Sequence, residues 1–129
     1  MASAFATTPF GGALAGAISK ETDQELTLTA DIRNGPVTLL GINLANSANT
    51  VVSCKVFNST GEGYTQATTQ PELIIPVELT AGDPKLVNVS ILGGLKFANG
   101  ISISASKEDG NDHSTAPDDA LSWKIITQP

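Results

Sequence analysis

The chain has 129 residues, which suits one domain that buries roughly two-thirds of the surface its unfolded chain exposes. Charged residues make up only 16%, the net charge is −6, and Arg33 is the single arginine. Such a chain lacks the clustered cations that bind nucleic-acid phosphates. We therefore expect one globular domain that does not bind nucleic acid.

The single cysteine, Cys54, excludes an internal disulfide and favours folding in a reducing cytoplasm. The N-terminal residues lack the basic region of a secretory signal peptide. No apolar run approaches the ~20 residues that a transmembrane helix needs. We therefore expect assembly in the cytoplasm and no membrane partner.

Residues 1–20 are rich in alanine, glycine and threonine, and they show no steady helical or strand period. Phe5, Phe10 and Leu14 are spaced about four residues apart, but Pro9 and two glycines interrupt a helix. We interpret this segment as an extended N-terminal arm. It is either a frayed terminus or a segment that docks on a neighbouring subunit, with Phe5, Phe10 and Leu14 as its contacts.

From residue 25 onward, apolar side chains alternate with polar ones, which is the period of a half-buried strand. Turn signals such as Asn34-Gly35-Pro36 and Asn99-Gly100 separate seven or eight short segments of this kind. Pro76 lies within one of them and places it at a sheet edge or a bulge, because proline lacks the N–H of a central strand. The pattern predicts an all-β domain over residues 21–129, a two-sheet antiparallel sandwich that is jelly-roll or immunoglobulin-like.

Two aromatic residues have different predicted roles. Trp123 lies on the apolar side of the last predicted strand, so we expect it in the core. Tyr64 lies in the long polar loop 58–70, where a tyrosine offers a large contact area at little entropic cost. We predict that Tyr64 and this loop contact a partner.

The chain offers no arrangement of residues for nucleophilic catalysis. His113 is the single histidine and falls in a loop. Cys54 is predicted on the inward side of a strand, where a cysteine behaves as a small hydrophobic residue. A nucleophile elbow and a glycine-rich phosphate loop are both missing from the sequence. We therefore expect a protein that is not an enzyme and that has no catalytic residues and no cofactor.

The 108–119 loop contains the best metal-ligand candidates, because calcium binds six to eight hard oxygen ligands. Their spacing does not match an EF-hand, which ends in a glutamate that is missing here. A solvated acidic loop and a calcium site are the two alternatives, and we favour the first and expect no metal ion. The candidate ligands are Glu108, Asp109, Asn111, Asp112, Asp118 and Asp119.

The stretch from Val37 to Thr127 resembles a group of small bacteriophage virion-associated proteins. Three pieces carry the resemblance: Lys55-Val-Phe-Asn58, Gln70-Pro-Glu-Leu-Ile-Ile-Pro76 and Gly94-Leu-Lys-Phe-Ala-Asn-Gly-Ile101. A polar, aspartate-rich loop and a final apolar strand follow the last piece. The resemblance implies a β-sandwich on a phage particle, of the head decoration (cement) type, and it implies no catalytic residues. Residues 1–20 and the tryptophan in the final strand depart from the pattern.

A decoration protein would bind the outside of the major capsid protein lattice and stabilise the head of the virion by mass action. Closed symmetry favours a homotrimer at local three-fold positions. The alternative is a receptor- or glycan-binding module of a head or tail fibre, which would need an exposed aromatic cluster. A free-standing cytoplasmic domain is the third hypothesis.

Overall fold

The computed structural model of the protein describes residues 6–10, 16–46, 51–66, 68–77, 85–108 and 114–129. The described residues form nine strands and confirm the all-β prediction. No helix in these residues is long and apolar enough to cross a membrane. The strands are β1 (Ala6–Phe10), β2 (Gly16–Gln24), β3 (Thr29–Asn34), β4 (Val37–Asn46), β5 (Val52–Asn58), β6 (Leu73–Val77), β7 (Lys85–Phe97), β8 (Gly100–Ser106) and β9 (Leu121–Gln128).

The strands form two antiparallel sheets that pack against each other, as the predicted sandwich requires. Sheet A has the order β1-β2-β9-β4-β7, and sheet B has the order β3-β8-β5-β6. Aliphatic side chains from both sheets fill the space between them. The side chain of Trp123 belongs to this core, as predicted, and is only 2% exposed.

The strand pairing is nested. β2 pairs with β9, β3 with β8, β4 with β7, and β5 with β6. The chain therefore runs as one long hairpin, rolled so that successive strand pairs alternate between sheet A and sheet B. This is the jelly-roll arrangement, one of the two architectures that the strand pattern left open.

The N-terminal segment differs from the arm expected over residues 1–20, because its described parts are strands of sheet A. β1 pairs with β2, and β2 pairs with β9. Ala17 and Ser19 are buried, and the hydroxyls of Thr7 and Ser19 are hydrogen-bonded at 2.7 Å. The inward positions of β2 are small or polar, so the large apolar residues that reveal a strand period are missing there.

Candidate docking face

The outer face of sheet B is covered by the chain itself. The three serines of β8, which alternate with its apolar residues, are all buried. Each donates a hydrogen bond to a backbone carbonyl oxygen of a covering segment: Ser102 to Ser59 at 2.7 Å, Ser104 to Leu26 at 2.8 Å, and Ser106 to Glu108 at 3.3 Å. Both sides of β8 are therefore inaccessible to a partner.

Tyr64 takes part in this cover. Its ring packs edge-on against Phe57 of β5, with the ring centroids 5.1 Å apart and the planes at 80°. Burial raises the pKa of Tyr64, and a hydrogen bond with Ser104 acts in the opposite direction. The ring is half-buried on the protein's own sheet, and its contact with a partner stays a prediction.

The other predicted contact residues are described only in part. Phe5 and Leu14 lie outside the described residues. Phe10 is the last residue of β1, and its side chain also lies outside the description. Their contact with a partner therefore stays a prediction as well.

The described part of the acidic loop satisfies its carboxylates within the chain. Burial raises the pKa of Glu108, but hydrogen bonds from Thr115 and the neighbouring backbone outweigh it and lower that pKa. Asp118 forms an ion pair with Lys107 at 2.8 Å. The described residues contain no group of three His, Cys, Asp or Glu side chains that could hold a metal ion. Residues 109–113, with His113 among them, lie outside the description.

Cys54 lies in the core, as predicted, opposite Ala105 of β8 and Ile75 of β6. Burial raises the pKa of its thiol to about 12. The thiolate is the reactive form of cysteine, so this side chain is not a nucleophile at neutral pH.

The outer face of sheet A is open, and the strand register aligns its side chains in rows. One row crosses all five strands through Ala6, Lys20, Lys124, Asn43 and Asn88. Lys20 and Lys124 are direct cross-strand neighbours, so their Cβ atoms are about 5 Å apart. Like charges placed directly opposite each other destabilise a sheet, and this pair therefore opposes folding slightly.

Among the described residues, no aspartate or glutamate occupies a paired outward position in the rows of this face, although the chain has 13 acidic and 7 basic residues; the exposed Asp23 lies at the end of the face, in the irregularity of β2 opposite Ser122. Three lysines, Lys20, Lys96 and Lys124, are exposed there. We call this surface the lysine face. Its other rows contain Thr8, Ile18, Ile126, Gly41 and Ser90; then Gln128, Thr38 and Lys96; and then Ser122, Ala45 and Leu86.

Of the two large apolar side chains that are exposed among the described residues, Leu86 lies on the lysine face and Leu92 lies in the irregular stretch of β7 between Ser90 and Leu95. Leu86 is 69% exposed and Leu92 is fully exposed, and both lie on β7. Next to Leu86 is a groove of about 230 Å³ that Lys20, Lys124 and Asn43 also line. Exposed apolar groups beside polar ones are typical of interaction surfaces.

The lysine face can hold another surface by contact and charge. Sequence reasoning missed it, because the face is created by strands far apart in the chain. Comparison of the chain with protein-family models, curated proteins and solved structures found no match.

Proposed function

We propose that this protein is a structural component of a bacteriophage particle, a capsid decoration protein that binds the outside of the major capsid protein lattice. The observation that carries the proposal is the contrast between the two outer faces. The chain covers sheet B with its own segments and leaves the lysine face open. A domain with one exposed face and one covered face suits a protein that acts by binding to another protein surface.

The size of the open face fits this role. Neighbouring strands are about 4.8 Å apart and rise about 3.4 Å per residue, so the five strands span roughly 20 Å by 30 Å. That flat area of about 600 Å² approaches the ~800 Å² that each partner buries in a stable interface. This face alone would therefore supply most of one copy's side of such an interface.

Two further observations support the proposal. The resemblance of residues 37–127 to small virion-associated proteins points to a phage particle. The jelly-roll arrangement recurs in viral capsid and lectin domains, which is support by analogy at the level of the fold.

The test compares particles with and without the protein. Binding to the folded shell stabilises it by about 2.7 kcal/mol per site when the free protein is at 100 times its dissociation constant. We therefore expect decorated heads to release their genome at a higher temperature than bare heads. Equal release temperatures would contradict the proposal, and so would the absence of the protein from purified virions by mass spectrometry.

The copy number separates decoration from the fibre module. A decoration protein is present in many copies and, as we propose, sediments as a homotrimer, whereas a fibre module is present in about a dozen copies and binds in a glycan array. The described aromatic side chains do not favour glycan binding, because Phe57, Phe97 and Trp123 are buried and Tyr64 is half-buried.

A further inference from the structure

We infer that the groove between Lys20, Lys124 and Leu86 binds a protein segment that carries a carboxylate next to an apolar side chain. The inference rests on the proposed function in one respect only, which is that the bound segment belongs to the capsid partner. The site consists of the groove, two ammonium groups on one row and an exposed leucine beside them.

The two lysines are poised for an external anion. They face each other across β2 and β9, and neither has an ion-pair partner among the described residues. Glu21 also lines the groove, but its side chain is only 3% exposed, and Oε1 accepts hydrogen bonds from the backbone N–H groups of Thr22 and Asp23 at 2.9 and 3.0 Å. The charge that the groove presents to solvent is therefore positive.

The partner must also bring an apolar group. Leu86 of β7 lies on the same row as Ala45. The side of the groove away from the two lysines is therefore apolar. Lysine ammonium groups at the other side attract carboxylates without fixing one geometry, because each is a flexible point charge. An extended segment, in which alternate side chains share one side, would place an aspartate or glutamate on the lysines and a leucine on Leu86.

The test titrates two peptides into the isotope-labelled full-length protein and follows the backbone amide signals by NMR. The probes are acetyl-Gly-Asp-Thr-Leu-Thr-Glu-Gly-amide, in which Asp, Leu and Glu share one side of an extended chain, and its counterpart with Asn and Gln in place of Asp and Glu. We expect the acidic peptide to shift the signals of Lys20, Asn43 and Lys124, and to bind more weakly as salt is raised. Equal binding of the neutral peptide would overturn the inference.

Variants locate the site. Because each exposed ion pair contributes little, we expect Lys20→Gln/Lys124→Gln to bind the acidic peptide about fivefold more weakly, and Lys20→Glu/Lys124→Glu to bind it more weakly still. The matched control is Lys107→Gln, which removes a lysine paired with Asp118 elsewhere in the protein and should leave binding unchanged. Lys20→Gln/Lys124→Gln removes a like-charge pair, so this variant should fold at least as stably as the unsubstituted protein, whereas Lys20→Glu/Lys124→Glu keeps a like-charge pair of the opposite sign.

Binding of the same variants to bare particles separates the two proposals. If the unsubstituted protein binds particles and the double variant binds them equally well, the groove is not the contact and the inference fails while the proposed function stands. If the unsubstituted protein does not bind particles but the peptide result holds, the proposed function fails and the groove remains a site for acidic segments.

Discussion

At the scale of single residues, Gln24 joins β2, β3 and β9 through one buried amide. Its Oε1 accepts hydrogen bonds from Thr29 Oγ1 at 2.7 Å and from Trp123 Nε1 at 3.0 Å. Its Nε2 donates to the carbonyl oxygens of Glu25 and Thr27. Every polar atom of this amide is thus paired, as a buried polar group requires.

Replacing Gln24 with methionine keeps the approximate shape of the side chain and removes all four hydrogen bonds. The hydroxyl, indole and carbonyl groups that bond to this amide would then be left buried without a hydrogen-bond partner. We therefore expect the free energy of unfolding to fall by about 3 kcal/mol. Urea unfolding followed by the fluorescence of Trp123 measures it. The control Gln66→Met, at an exposed loop position, should change it by less than about 0.5 kcal/mol. A loss at Gln24 no larger than the control would show that the network does not stabilise the fold.

The buried thiol of Cys54 predicts a pH dependence of stability. Burial raises its pKa from 9.0 to about 12 in the folded protein. The folded state therefore keeps a proton that the unfolded chain releases, so the stabilisation is complete below pH 9 and is lost as the pH rises toward 12. Between pH 8 and 10.5 we expect the unfolding free energy of the unsubstituted protein to lose about 2 kcal/mol relative to Cys54→Ala. A constant difference between the two proteins would contradict the burial of the thiol.

At the scale of secondary-structure elements, β8 holds the cover on sheet B. Ser104→Ala removes the donor to the carbonyl oxygen of Leu26, and we expect it to cost about 1–2 kcal/mol of unfolding free energy. Hydrogen exchange should also speed up at the amide of Ala105, which donates to the Glu25 carbonyl of the same covering segment. The matched control is Ser90→Ala, at an exposed position of β7, where both quantities should stay unchanged.

The strands themselves were largely predictable, because alternation reports which side of a strand faces the core. Pro76 was expected at a sheet edge or a bulge, and β6, which contains it, is one of the two edge strands of sheet B. What alternation does not report is whether the opposite side meets water or another segment. For this reason alternation alone does not reveal that the serines of β8 and Lys55 of β5, which all occupy the polar side of a strand, are fully buried.

The lysine face could not be predicted for a related reason. Lys20 lies in a segment that has no visible period, and Lys124 lies at the opposite end of the chain. Their proximity follows from the pairing of β2 with β9, which local sequence patterns do not specify. The candidate site therefore emerges only with the strand order.

At the scale of the whole molecule, β1 lies outside the nested set of eight strands and pairs only with β2. We expect deletion of residues 1–10 to preserve a single cooperative unfolding transition with a lower midpoint in urea. If Phe5 and Phe10 are partner contacts, the truncated protein should also bind bare particles more weakly. Sedimentation binding at a temperature where both proteins are folded measures this. Unchanged binding would show that these aromatic residues contribute nothing to docking.

The position of β9 has a consequence for biosynthesis. This strand lies between β2 and β4 in sheet A, although it is made more than 70 residues after β4 has been completed. A chain that emerges from the ribosome at about 5–20 residues per second therefore waits several seconds with two strand edges unpaired. A prematurely terminated product that lacks β9 would keep both edges open, and such edges are sites of aggregation. Premature termination anywhere upstream of β9 is therefore expected to give an aggregation-prone product instead of a folded domain.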